Sequence, residues 1–302
     1  VTRVLAAADI GSNTAHLLVA ATDGSIVMRI DNYNEWIPLG ETVAREGVVP
    51  PEQLQQLILA VKEFKRVCKV KQAQSLYVFA TEGLRLAANH ADVLKKIAAE
   101  TGVKVDIISP RREAELSLGG ISLDIQNGAE RLLFEVGGGS AQIGIVSNGE
   151  LTVEESLPLG TGRIIAESGM RNPCRPFMLE AAQTYIDKTL SESKIAKAPH
   201  KAVASGGVAR GLWRALHPDG EKVLALEEIH YIQWASCKLP LDRIITRFGV
   251  KNRRATTLLP GAMIYRALME RFELKEILIS EFGIREGAIL QMAKGTLAGS
   301  PV

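Results

Sequence analysis

The chain has 302 residues, of which 46% are hydrophobic and 23% charged, with a formal net charge of +2. That is the composition of a folded globular protein with room for two α/β domains, and it excludes disordered, collagenous and disulfide-stapled classes. The near balance of charge does not call for a nucleic-acid partner, and no apolar run reaches the length of a membrane span.

Arg3 to Ala8 reads as a buried strand, followed by a turn over Asp9, Gly11, Ser12 and Asn13. A second strand runs from His16 to Thr22, and Asp23-Gly24 turns into a third from Ser25 to Ile30. Pro50-Pro51 opens a helix whose apolar face is Leu54, Leu57, Ile58, Val61 and Phe64. A strand at Leu76–Ala80, a helix at Leu84–Ile97, a strand at Val103–Ile108 and a helix at Arg111–Leu123 complete a first half. The plan then repeats. Leu132–Val136 is a strand, Gly137–Ser140 a turn and Ala141–Val146 a strand; Asn148-Gly149 turns into Leu151–Ser156. A helix over Phe177–Thr189 precedes the strand Lys201–Ala204, which ends in Ser205-Gly206-Gly207. Helices at Val208–Leu216, Leu226–Trp234 and Ala262–Glu270 lead to the strand Glu276–Ile279, a last helix at Ile284–Met292 and a loose Gly-Ser-Pro tail.

An acid–glycine turn after a buried strand thus occurs twice, about half a chain apart, which marks a diverged internal repeat. The expectation is two α/β domains, 1–125 and 126–302, facing each other across a cleft, with a boundary turn at Asp124, Asn127 and Gly128. The last helix is expected to pack on the first domain.

Glycine turns let backbone N–H groups converge on an anion. The candidate phosphate-binding residues are Gly11, Ser12, Asn13, Thr14, Gly137, Gly138, Gly139 and Ser140, with Gly206 and Gly207 at the start of a helix. Asp9 and Glu135 stand before the two turns. Such acids suit a magnesium ion held largely through waters, or simply accept turn N–H bonds. Arg85, at a strand–loop–helix junction, is either a bidentate phosphate clamp or a surface arginine. Glu113 and Glu115 are i and i+2 at a helix start, so at most one of them points at a ligand. His16 reads as core or lining, and His90, His200, His217 and His230 have no metal-ligand spacing. Cys68, Cys174 and Cys237 form no CxxC pair, which fits a reducing cytoplasm. The start lacks the charged n-region and unbroken apolar run of a signal peptide.

Taken together, the segments DIGSNTAHLLVA, IPLGETVAREGVVPPEQL, ATEGLRLAANHADVL, IISPRREAELSLGG, FEVGGGSAQIGIV, ESLPLGTGRI, ASGGVARGL and ISEFGIREG resemble the exopolyphosphatase and guanosine pentaphosphate phosphatase family, from about Ala8 to Leu290. The resemblance implies an α/β fold of duplicated actin-like, ribonuclease H-like domains, as in actin, sugar kinases and heat-shock ATPases. It implies Mg²⁺-assisted hydrolysis of a terminal phosphoanhydride (Mn²⁺ being a second metal to consider) in polyphosphate or guanosine pentaphosphate. The family's catalytic glutamate falls on Glu113, its clamp arginine on Arg85 and its loop aspartate on Asp9. The two loops would hold the polyanion while Glu113 orients or deprotonates the attacking water. The chain departs from the family in having Glu135 for an aspartate, Ala141 for a threonine, Gln142 for a glutamate, Arg112 for the first helix glutamate and Glu115 for an arginine. Those changes leave a third reading open, a weakly catalytic binder of polyphosphate or guanosine tetraphosphate. Longer members carry further C-terminal helical domains, whereas this sequence ends soon after its REG segment, which implies a short two-domain form. A homodimer is common among members, and no residue pattern here encodes one.

Overall fold

The structure, a computed structural model, describes residues 1–121, 123–124, 130–148 and 150–302. The expected boundary at 125/126, with Asn127 and Gly128, and Gly149 of the expected hairpin lie outside the described residues. The chain divides into two compact units, Val1–Leu123 with Phe282–Val302, and Asp124–Glu281.

The first unit begins with strands β1 (Arg3–Ile10), β2 (Thr14–Thr22) and β3 (Val27–Trp36), paired antiparallel in sequence. β3 starts two residues later than expected, because the Asp23 carboxylate captures the Ser25 and Ile26 amides at 2.9 and 3.1 Å. These bonds pull the Asp23 carboxyl down to about 2. Helices α1 (Leu39–Glu46) and α2 (Pro51–Val70) follow, then β4 (Ser75–Ala80), α3 (Glu82–Arg85), α4 (His90–Thr101), β5 (Val105–Ile107) and α5 (Pro110–Ile121). The single helix expected over Leu84–Ile97 is therefore broken. Its break is used: the Asn89 side-chain amide exchanges two 2.9 Å bonds with the Val49 backbone, which pins the α1–α2 connection.

The second unit repeats the plan with β6 (Arg131–Val136), β7 (Ala141–Ser147) and β8 (Glu150–Leu157) as a second antiparallel meander. Next come α6 (Thr161–Ser168), α7 (Pro176–Ser191), β9 (Ala202–Ser205), α8 (Gly206–Leu216), β10 (Val223–Ala225), α9 (Leu226–Lys238), α10 (Leu241–Phe248), α11 (Asn252–Arg271) and β11 (Glu276–Ile279). The helix expected over Ala262–Glu270 begins at Asn252 and runs through Pro260-Gly261. Leu258, Leu259, Ala262, Ile264, Tyr265 and Leu268 are all buried, so tertiary packing outweighs the local cost of proline.

The chain returns to the first unit with α12 (Ile284–Ala293) and β12 (Ser300–Pro301). The second domain expected to reach residue 302 thus ends, by contacts, at Glu281. α12 packs on α5, β1 and β2. The tail is not loose: β12 pairs antiparallel with β4 at the sheet edge, where proline costs no ladder bond.

The sheet orders are β12-β4-β1-β2-β3, with β5 also on β4, and β10-β11-β9-β6-β7-β8. In each, the first strand of the meander runs parallel to a later strand, β1 to β4 and β6 to β9. Both meanders shift register at the same distance past the turn acid, at Val19/Ala20 and at Ile145/Val146. The duplication is therefore one of topology as well as of motif. Strand alternation explains the alanine run of β1. Ala6, Ala8 and Ile10 join the core under α2 and α4, while Leu5 and Ala7 join the core under α12.

Candidate active site

In the first unit β1, β4 and β5 are parallel, so their carboxyl ends lie side by side, the usual place for ligands in open α/β sheets. Thr81 N–H donates to the Ile10 carbonyl (3.1 Å) and Ile108 N–H to the Ala80 carbonyl (3.0 Å), extending the ladder into the loops. These ends carry the Asp9–Thr14 turn, α3 with Arg85, and α5 with Glu113 in its first turn. Arg85 Nη1 donates to the Ile108 carbonyl at 2.5 Å and lies 3.9 Å from Glu113 Oε2. The Glu113 side chain is only 12% exposed, so its neighbour's charge is weakly screened. Glu115 turns the other way, to Arg111 Nε at 3.0 Å and Arg112 Nη1 at 3.4 Å. This separates the two glutamates as their spacing requires.

The first turn is closed by Gly11 N–H to the Thr14 carbonyl at 2.9 Å, so that amide serves the turn. The Ser12 and Asn13 carbonyls are taken by Gly40 N–H (2.7 Å) and Ile37 N–H (3.0 Å). Among the described residues the Ser12 and Asn13 amides have no protein acceptor, and they are the donors the loop presents. His16 sits directly across from Asp9 in the β1–β2 register and is half-buried. Asp9 Oδ1 bonds Arg285 Nη1 from α12, a partner that the sequence reading missed.

The second unit builds its turn in the same way. Gly137 N–H closes on the Ser140 carbonyl at 2.9 Å, and the Gly138 and Gly139 amides have no protein acceptor among the described residues. The α6 N-terminus docks here, with Thr161 N–H on the Gly137 carbonyl (3.0 Å) and Gly162 N–H on the Gly138 carbonyl (2.8 Å). Gln142 is buried and donates to the hydroxyls of Ser140 (3.1 Å) and Ser156 (3.3 Å). It is a neutral brace of the turn. Glu135 leans toward the third turn, its Oε1 3.6 Å from where a Gly206 Cβ would stand. It also faces Tyr265, whose phenol is pushed up first by burial and then by the Glu135 charge.

Two arginines absent from the sequence reading join this unit's turns. Arg163 Nε donates to the Gly139 carbonyl at 3.2 Å. Arg254 lies along the start of α8, its Nη2 3.7 Å from a Gly207 Cβ position. No hydrogen bond or ion pair balances Arg254 among the described residues, and burial followed by nearby Arg214 lowers its pKa. Ser205, at the N-cap of α8, is fully buried with a hydroxyl that has no partner among the described residues. A guanidinium beside a helix N-terminus is an arrangement that can take an anion. The signal was in the sequence as Arg254 and the Gly206-Gly207 turn, but nothing in their spacing joins them.

Among the described residues no group of three or more His, Cys, Asp or Glu is arranged to hold a metal. Magnesium asks for less, one or two carboxylates with waters and substrate phosphates. Asp9 meets that demand on one side: Oδ2 lies 3.7 Å from a Gly11 Cβ position, at the turn, while Oδ1 belongs to Arg285. Magnesium bound there would offset charge on phosphate oxygens. Glu135, folded toward Gly206, fits the role less well.

The family model for the Ppx/GppA phosphatase family matches residues 18–296. The chain belongs to the Ppx/GppA phosphatase family. Exopolyphosphatase 1 of Mycobacterium leprae is 27% identical over 297 residues, covering 94% of this chain and 87% of that protein. A guanosine-5′-triphosphate,3′-diphosphate pyrophosphatase of Pseudoalteromonas translucida is 26% identical over 294 residues, covering 96% of this chain and 59% of that protein. The Aquifex aeolicus Ppx/GppA family structure superposes with a TM-score of 0.83 at 23% identity, covering 99% of this chain and all (100%) of that one. An exopolyphosphatase structure from Cytophaga hutchinsonii gives 0.87 at 19% identity, covering 99% and 100%. The fold is accordingly the duplicated actin-like α/β fold of the Ppx/GppA phosphatases. No helix among the described residues is long and apolar enough to cross a membrane.

Proposed function

We propose that the protein is an exopolyphosphatase that hydrolyses the terminal phosphoanhydride of inorganic polyphosphate. The observation that carries this reading is the approach of Arg85 to Glu113 at 3.9 Å, beside the Asp9 turn at the carboxyl ends of β1, β4 and β5. In this reading the Ser12 and Asn13 amides and the Arg85 guanidinium bind oxygens of the terminal phosphoryl group. Glu113 accepts a proton from the attacking water as the new P–O bond forms. The bridging P–O bond breaks with its electron pair going to the bridging oxygen, so the chain shortened by one phosphate leaves with a new terminal phosphate, and the attacked phosphoryl group is released as orthophosphate. Mg²⁺, or Mn²⁺ in its place, would be held by Asp9 Oδ2 and would neutralise the phosphoryl oxygens. The turns at Gly138–Ser140 and Gly206-Gly207, with Arg163 and Arg254, are anion sites of the second unit. Three free cysteines accord with residence in a reducing cytoplasm.

Guanosine pentaphosphate is the second substrate to weigh, because a relative at nearly the same identity is named for it. A phosphate-release assay on short and long polyphosphates and on guanosine pentaphosphate, over a Mg²⁺ and Mn²⁺ series, decides between them. The expected result is the highest kcat/KM on polyphosphate, with a Glu113→Gln variant slower by about 10²–10⁴-fold. A higher kcat/KM on guanosine pentaphosphate would favour the second substrate. Tight binding of either ligand with no turnover would replace both readings with that of a binding protein.

A further inference from the structure

Three consecutive residues at the start of α12 do three different jobs. Glu286 is buried; its Oε2 accepts the Gly283 N–H at 2.9 Å and its Oε1 meets Arg29 Nη2 of β3 at 2.8 Å. Gly287 packs so tightly on α5 that a Cβ would stand 1.7 Å from the Leu116 carbonyl oxygen. The helix start is thereby fixed to β3 on one side and to α5, which carries Glu113, on the other. Between these two anchors Arg285 reaches Asp9 Oδ1, and both side chains are largely buried, at 14% and 16% exposure. A buried pair of this kind holds its geometry, because removing one partner of a buried ion pair is costly.

We propose that Arg285 is a positioning residue for the first phosphate turn: it occupies Oδ1 of Asp9 and presents Oδ2 alone to a divalent cation at the Gly11 turn. The inference rests on the reading of Asp9 as the metal ligand. A guanidinium at this place does two things. It fixes the carboxylate rotamer, and it places a positive charge that weakens cation binding and prevents bidentate capture. The cation then stays weakly held and rich in water, free to take phosphate oxygens.

The test is a Mn²⁺ titration without substrate, read by the electron paramagnetic resonance of free Mn²⁺, on the wild type, Arg285→Met, Arg285→Lys, Asp9→Asn and the Asp9→Asn/Arg285→Met double variant. Thermal melting of each variant confirms that it is folded. Arg285→Met is expected to bind Mn²⁺ at least threefold more tightly, while Arg285→Lys, which keeps the charge, stays within twofold of wild type. In the Asp9→Asn background the Arg285 change should have no effect on Mn²⁺. On polyphosphate, Arg285→Met should lose tenfold or more in kcat with KM within twofold. Mn²⁺ affinity that is unchanged or weaker, a gain that persists without Asp9, or no Mn²⁺ binding in any form would overturn the proposal. So would a rise in KM at intact kcat, which would make Arg285 a substrate ligand. If the wild type hydrolyses no polyphosphate, the exopolyphosphatase reading falls, yet the titration still decides what Arg285 does.

Discussion

The Asp9 turn and the Glu135 turn share a backbone plan and differ in what surrounds it. Each is closed by the same glycine amide bond, Gly11 to Thr14 and Gly137 to Ser140, and each has the start of a helical segment docked on its carbonyls. Around the first stand groups that can move a proton or carry charge: Asp9 with Arg285, and Arg85 with Glu113. Around the second stand Gln142 on two hydroxyls, Glu135 turned to Gly206, and arginines at the turn and at α8. Duplication preserved the backbone device, and in the proposed reading the side chains divide the labour, with chemistry in the first unit and anion grip in the second.

Substitutions at the two turns should separate these roles. After Glu113→Gln, the largest effect is expected from Arg85→Met, which removes a donor to the phosphoryl group and should lower kcat by about 10²–10³-fold. Asp9→Asn should also act on kcat and should raise the Mg²⁺ needed for half-maximal rate, whereas Glu135→Gln should leave kcat within about threefold. Equal losses from the two acid changes would erase the division. In the second unit Arg254→Met should raise KM about tenfold at nearly constant kcat, as expected for one lost charged contact to an anion.

Much of this was legible in the sequence, and what was not has a physical reason. The two glycine turns mark strand ends in the local pattern, whereas Arg85 and Glu113 stay open between a ligand and a surface or capping role, and only the family resemblance puts them at its clamp and catalytic positions. Arg285, Arg163 and Arg254 carry no such local mark. Arg285 matters through a partner 276 residues away, and only the fold brings the two together. The broken helix at Leu86–Asn89 escaped for the same reason, since its cause is a tertiary bond from Asn89 to Val49. Gln142 was visible as a lost charge, but its use as a brace between two serines was not.

Smaller effects fall on stability and sharpen the same contrast. Gly160→Ala would place a Cβ 2.4 Å from the Gly138 carbonyl, whereas Gly40→Ala would meet the Ser12 Cβ at 2.7 Å. Gly160→Ala is expected to cost about 1–3 kcal/mol in chemical denaturation and to raise KM by opening the second turn. Gln142→Glu should destabilise by about 1–3 kcal/mol at pH 8 and by less at pH 5. A buried glutamate stays protonated above its unfolded pKa, so its penalty grows as pH rises through that value.

The most direct test of the division is made on Glu113→Gln, with polyphosphate binding and phosphate release measured on the same preparation. If chemistry lies at Glu113 and grip elsewhere, the variant binds polyphosphate with a Kd within about threefold of wild type while release falls by about 10²–10⁴-fold. Full release by a folded Glu113→Gln protein would contradict the account, as would binding lost in step with release.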